Sequence, residues 1–360
     1  MLRFRTPNGE IAIAKRLEVS DDGTFINVTL NSNDFEGEVK ILRPFRIANI
    51  KKYRLIYLAT ANSKEDAVVD LVDKDSDDRF GIIIPIQALC SSEHSRAQDD
   101  YFEYVASAVI PVVAEDLAGF SKIVDWRAGE VYTLADFFSE SMAVLAIRDD
   151  KAQEFPPEKY LVSLFAHGYC AFQNKDLCSF ISCFSHSRRK AIKLIGVDDS
   201  YLSNGYILSL YRDILPFERS DLAFFVLLYQ IFESLMQHVF EERLAEYKIK
   251  VGNFNGSASD LRELSAELND VTSERDRINA CLTRSRFKQS NAPEITKKLL
   301  CFLKSASKNP RSEAFPDLLY DVRNLIFHSH RAIPSASLAM VAEINEGISV
   351  VMPKILALRS

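Results

Sequence analysis

The hydrophobic period changes once along this chain, near residue 97, and that change constrains the fold more than any other feature. Before it, Ile11–Ala14, Thr24–Leu30, Val39–Leu42, Tyr53–Ala59 and Phe80–Ile86 are short runs of β-branched and aromatic residues. Turn-forming clusters such as Ser20-Asp21-Asp22-Gly23 separate them, as between strands. Thr24–Leu30 alternates apolar and polar residues and predicts a strand with one wet face. Asp73–Arg79 reads as a solvated loop. After residue 97, Tyr101–Phe120, Tyr132–Ile147 and Pro157–Phe172 carry apolar residues at helical spacing. Pro111 is expected to kink or divide the first of these helices. Asn174–Ile195 continues the helical reading, with a basic cluster from His186 to Lys190 plus Lys193. That cluster reads as a phosphate-facing patch or a solvated helix face.

Ser220 and Asp221 cap a long helix from Leu222 to about Lys248 whose first turns are apolar nearly all round, the pattern of a helix buried on several sides. Gly252–Ser259 is a linker, and helices follow at Asp260–Leu268, Ser273–Arg284, Ala292–Ser305, Pro316–His328 and Ser337 to about Val351. The expectation is an α+β multidomain chain. It comprises a β-rich recognition or regulatory domain over 1–95, a helical middle over 96–215 and a helical bundle over 216–360.

Composition bounds the class. With 360 residues, 47% of them hydrophobic, the chain has ample material for packed cores, and no apolar run approaches the ~20 residues of a membrane span. The start, MLRFRTPNGE, lacks the apolar core of a signal peptide, so the expected location is cytoplasmic, away from membranes. Six scattered cysteines fit buried thiols in a reducing compartment. Cys170, Cys178 and Cys183 lack the spacing of a zinc site, so neither a metal nor another cofactor is expected. Tyr101, Tyr104, Phe137 and Phe138 read as core, and Trp126 as packing or the lining of a pocket.

Chemistry concentrates in Pro316–His328, PDLLYDVRNLIFH. At about 100° per residue, Leu318, Leu319, Val322, Leu325 and Ile326 form one core-facing stripe. The opposite arc holds Asp317, Tyr320, Asn324 and His328, with Arg323 and Phe327 at its edge. Asn324 and His328 stack one turn apart. Arg323 and His328 are five residues apart, yet a long Arg side chain can swing into the same groove.

Tyr320-Asp321-Val322-Arg323-Asn324-Leu325-Ile326-Phe327-His328 resembles the signature of HEPN domains, small helical bundles in which Arg, a polar residue and then His end a late helix. The long apolar helix interrupted by Glu233 fits the same pattern. The resemblance covers residues 216–360, and a β-rich module ahead of such a bundle is similar to the ApeA-like subgroup of phage-defence proteins. It implies a metal-independent endoribonuclease in which the RNA's 2′-OH attacks the adjacent phosphate to leave a 2′,3′-cyclic phosphate. His328 would exchange protons, Arg323 would stabilise phosphorane charge, and Asn324 would orient the imidazole or hold a phosphate oxygen.

The resemblance further implies a homodimer through this helix, with Tyr320 and Phe327 as contact residues. The partners would be tRNA or mRNA and an antitoxin or phage-derived trigger, in abortive infection or as a toxin. The alternatives are a non-catalytic nucleotide- or RNA-binding module and a purely structural interaction protein. Glu233 is a candidate to hold Arg323 across the bundle. His330 is a candidate phosphate contact or a solvated helix-end side chain, and His238 a surface or core-edge histidine. Between Arg284 and Arg331 ten Lys or Arg face four acids, a basic stripe in a chain of formal charge −6. Such a stripe is the footprint that a nucleic-acid groove leaves.

Overall fold

A computed structural model describes all residues but 1, 33–34, 47–52, 61–63, 65, 73–77, 117–120, 172–189, 203–204, 330, 332 and 358–360, and, within helices, the side chains of 116, 269–271 and 291. The Asn174–Ile195 helix with the basic residues from His186 to Arg189, the greater part of the Asp73–Arg79 loop, Cys178, Cys183 and His330 therefore lie wholly or mainly outside the described residues. The chain divides into two compact units, residues 1–157 with 168–194, and residues 158–167 with 195–360. It has a β-rich N-terminal region of two curled sheets, then a helical region and a C-terminal all-α bundle.

In the first unit, β1 (Arg3–Arg5), β2 (Ile11–Val19), β3 (Phe25–Ser32) and β4 (Phe35–Leu42) pair antiparallel in chain order. β5 (Tyr53–Thr60), β6 (Val69–Val72) and β7 (Arg79–Pro85) precede α1 (Asp100–Asp116). β8 (Ile123–Asp125) and β9 (Val131–Tyr132) close the edges of the first sheet in parallel with β1 and β4. After α2 (Leu134–Phe137), β10 (Met142–Arg148) runs between β5 and β7. α3 (Asp149–Ala152) and α4 (Pro157–Ala166) follow, then β11 (Tyr169–Ala171) and β12 (Ala191–Ile192), which edge the second sheet in the order β11-β5-β10-β7-β6-β12.

Alternation in β3 puts Ile26, Val28 and Leu30 into a core shared by both sheets and α1, where Phe102, Val105, Val109 and Val113 are buried. Pro111 lies inside α1 without dividing it. The stretch Tyr132–Ile147, which reads as a helix, is instead the short α2 followed by a strand. Met142–Ile147 is buried on both faces as a central strand, and a continuous apolar run of that kind carries no period that separates strand from helix.

Arg79, expected in a solvated loop, starts β7 and joins Arg96, Asp70 and Asp99 in a half-buried ionic cluster. Asp99 also caps α1, accepting from the backbone N–H of Tyr101 at 3.0 Å and of Phe102 at 3.2 Å. Trp126 packs edge-on against Phe35 at 5.1 Å.

The second unit begins with most of α4, then α5 (Asp199–Leu202), α6 (Gly205–Ser209) and a π-helical turn, Leu210–Ile214. Its bundle is α7 (Asp221–Gly252), α8 (Ala258–Thr272), α9 (Glu274–Arg284), α10 (Pro293–Ser305), α11 (Phe315–Ser329) and α12 (Ser335–Ile355). The Ser220 side chain accepts from the Ala223 N–H at the start of α7, and Asn345 of α12 donates to the Asp221 carbonyl at 2.8 Å. By length and composition α7 is, among the described residues, the one helix that could cross a membrane, and half of its most apolar window is buried within the protein.

Where α12 crosses α10, Gly347 faces Ile295: a Cβ there would sit 2.7 Å from Ile295 Cδ1 and 3.1 Å from its Cβ. Helix propensity alone predicts that Gly347→Ala stabilises by about 1 kcal/mol, whereas overpacking against a stiff β-branched side chain costs about 1–3 kcal/mol. Gly347→Ala is therefore expected to lower the midpoint of denaturant unfolding, and the double variant with Ile295→Val, which lacks the Cδ1 at 2.7 Å, to lose less than the sum of the two single losses.

Candidate active site at the end of helix α11

Burial of Leu318, Leu319, Val322, Leu325 and Ile326 sets the rotation of α11. The remaining arc faces α7 on one side and α9 on the other, and Arg323 lies at its edge, next to the buried stripe. Its side chain is only 18% exposed. A guanidinium is a planar set of five donors with no acceptor, so each edge needs a partner. Nη1 donates to Asn324 Oδ1 at 3.0 Å and lies 3.3 Å from His328 Nε2. Because Arg can only donate, that second contact is a hydrogen bond in the tautomer whose Nε2 accepts and whose proton sits on Nδ1.

Two carboxylates approach the other edges at 3.7 Å, Glu233 Oε1 from α7 at Nη2 and Glu274 Oε1 from α9 at Nε. Two rings also approach the guanidinium carbon, Phe327 at 4.9 Å and Tyr229 at 5.6 Å to the ring centroid. The structure thus brings Arg323, Asn324, His328 and Glu233 together. His328 is exposed at the end of this array.

Two parts of the array have no local signal in the sequence. Tyr229 of α7 donates its hydroxyl to Glu274 at 2.8 Å, and Tyr229 and Phe327 meet edge to face at 6.1 Å. Tyr320 carries the Arg275 guanidinium over its ring at 5.0 Å, and Arg275 reaches Asp317 at 3.0 Å and Asp321 at 3.1 Å. Phe327 and Tyr320, expected as contacts to a second copy, thus each bind an arginine of their own chain. His238 sits on α7 beside Glu242, at 3.2 Å.

A groove of about 760 Å³ opens beside this array. Tyr320, Asn324 and His328 line it from α11, Glu274 and Arg275 from α9, and Lys308 and Arg311 from the loop after α10. Arg323 stands behind Asn324 rather than on the groove wall. No cluster of His, Cys, Asp or Glu suited to a metal ion occurs among the described residues. Cys281 is buried, which pushes its thiol up to about 12. Comparison of the chain with protein-family models, with curated proteins and with solved structures finds no match in any of the three.

Burial, followed by the hydrogen bond to Glu274, pushes the Tyr229 hydroxyl well above the ordinary tyrosine value. Tyr229→Phe is expected to cost about 1 kcal/mol near neutral pH. The sign with pH follows from linkage: above about pH 10 the unfolded tyrosine ionises while the folded one holds its proton, so stability falls as pH rises. The advantage of the unsubstituted protein over Tyr229→Phe should be constant below about pH 10 and shrink above it. Urea unfolding across that range reads it directly.

Proposed function

We propose that this groove is the active site of a metal-independent endoribonuclease of the HEPN type, formed by the bundle of residues 216–360. One observation carries the reading: a guanidinium nitrogen lies 3.3 Å from an exposed imidazole nitrogen at the edge of a groove large enough for a nucleotide. In the reaction the ribose 2′-oxygen forms a bond to the neighbouring phosphorus and the P–O5′ bond breaks. The 2′-hydroxyl loses a proton and the departing 5′-oxygen gains one. His328, with Nε2 unprotonated, suits the first transfer. Arg323 suits the negative charge that grows on the phosphorane, and Asn324 orients the pair.

A single imidazole per chain serves one of the two proton transfers at a time. A homodimer that places two α11 helices around one cleft would supply both, one His328 as base and the other as acid. The cellular role that goes with this chemistry is RNA cleavage in the cytoplasm, acting on tRNA or mRNA. It would halt growth during phage attack or as a toxin under antitoxin control, with the β-rich unit as sensor or restraint.

A second reading, non-catalytic binding of RNA or a nucleotide, draws on a separate fact: Glu233 and Glu274 already face Arg323, which stands back from the groove wall. Incubation with total RNA in EDTA separates the two. Cleavage to 2′,3′-cyclic phosphate ends is expected, and His328→Ala should slow it by about 10²–10⁴-fold. Arg323→Ala and Arg323→Lys should both lose cleavage, because an ammonium cannot reproduce the planar contacts. Persistent cutting in both Arg323→Ala and His328→Ala would refute the site, and RNA binding without cutting would establish the second reading.

A further inference from the structure

The charges around the groove are not evenly placed. On the α9 and α11 side, Arg275 and Arg323 are outnumbered by Asp317, Asp321, Glu233 and Glu274, each within 3.7 Å of a guanidinium nitrogen. That wall offers a phosphate little net attraction. The basic stripe sorts in the same way: Arg284 is paired with Glu242, and Lys298 with Glu343 at 3.7 Å. Lys297, Lys304, Lys308 and Arg311 are exposed and have no ion pair among the described residues.

These four are contiguous. Lys297 and Lys304 are seven residues apart on α10, within about 20° of one line and separated by about 10 Å along the axis. Exposed Cys301 lies between them on the same face. Past the helix end, Ser307 turns the chain with φ of 56° and the Lys308 N–H returns to the Leu303 carbonyl at 2.9 Å. That turn delivers Lys308 and Arg311 to the groove wall facing His328. The α10 dipole favours cations at Lys304 and Lys308, but it does not account for Lys297 near the start of the helix or Arg311 beyond its end.

We infer that Lys297, Lys304, Lys308 and Arg311 form a phosphate track that carries single-stranded RNA along the outer face of α10 into the groove. The inference rests on the ribonuclease reading for the identity of the polyanion. The track accounts for what the inner wall lacks, since unpaired cations hold the backbone by counterion release while the matched arginines stay in place beside His328. Pro310 is an apolar lining residue between Lys308 and Arg311.

The test uses the full chain carrying His328→Ala, so that RNA is not consumed, with a labelled single-stranded oligoribonucleotide of about 12 nucleotides as probe. Affinity is measured against salt, and each phosphate contact contributes about 0.7 to the log–log slope. Lys297→Gln with Lys304→Gln is expected to reduce the slope by about 1.4, as is Lys308→Gln with Arg311→Gln. Lys15→Gln, on the β-rich unit, should leave it unchanged. A thiol-directed photocrosslinker should capture the probe on Cys301, and Cys301→Ser should remove that adduct.

RNA bound with an undiminished slope in both double variants, or an equal loss with Lys15→Gln, would overturn the track and leave the ribonuclease reading standing. No RNA bound at low salt, or polyglutamate bound in its place, would overturn both.

Discussion

Rotation of α11 about its own axis is the constraint on which the candidate site depends. Five aliphatic side chains on one stripe go into the bundle, each favouring burial by about 1.5–3 kcal/mol. Turning the helix by one residue would expose part of that stripe, so the polar arc has no freedom to face elsewhere. Arg323, Asn324 and His328 are held at the protein surface by residues that do none of the chemistry. The remaining precision comes from side-chain order. A planar guanidinium with two rings against it and carboxylates at Nη2 and Nε has few ways to lie, and that fixes the direction of Nη1, which reaches His328.

That restraint has an electrostatic consequence. The carboxylates that position Arg323 and Arg275 also cancel their charge, so local order and attraction of a polyanion pull in opposite directions at the same place. A site that needs both must find its attraction elsewhere. Exposed cations with no ion pair among the described residues lie across the groove, at Lys308 and Arg311, and along α10, at Lys297 and Lys304. Separation of an ordered side, where acids outnumber arginines, from a side of unpaired cations reconciles the two requirements.

The β-rich unit is built on different physics. Both sheets and α1 share one core, and β10 is buried on both faces between β5 and β7. The half-buried cluster of Arg79, Arg96, Asp70 and Asp99 ties β6, β7 and the start of α1 together, and each charge has an opposite neighbour. Such clusters specify an arrangement more than they stabilise it.

Much of this was legible in the residues. Runs of β-branched and aromatic residues between turn clusters located five strands, and the 3.6-residue period located the bundle helices to within a few positions, including the stripe of α11 and the polar arc opposite it. These are properties of neighbours in sequence, set by backbone geometry. Where the period fails, as in the uniformly apolar Met142–Ile147, only pairing with strands from distant segments decides between helix and strand.

The same limit governs the site. The sequence by itself determined that an arginine, an amide and an imidazole border one helical arc, because six residues on an α-helix leave little choice. Only the tertiary structure decided that Tyr229 and Glu274 hold that arginine, that Tyr320 and Phe327 lie against arginines of their own chain, and that Lys297, Lys304, Lys308 and Arg311 keep unpaired charge. A charge is free or matched according to what folds beside it, and no spacing along the chain carries that information.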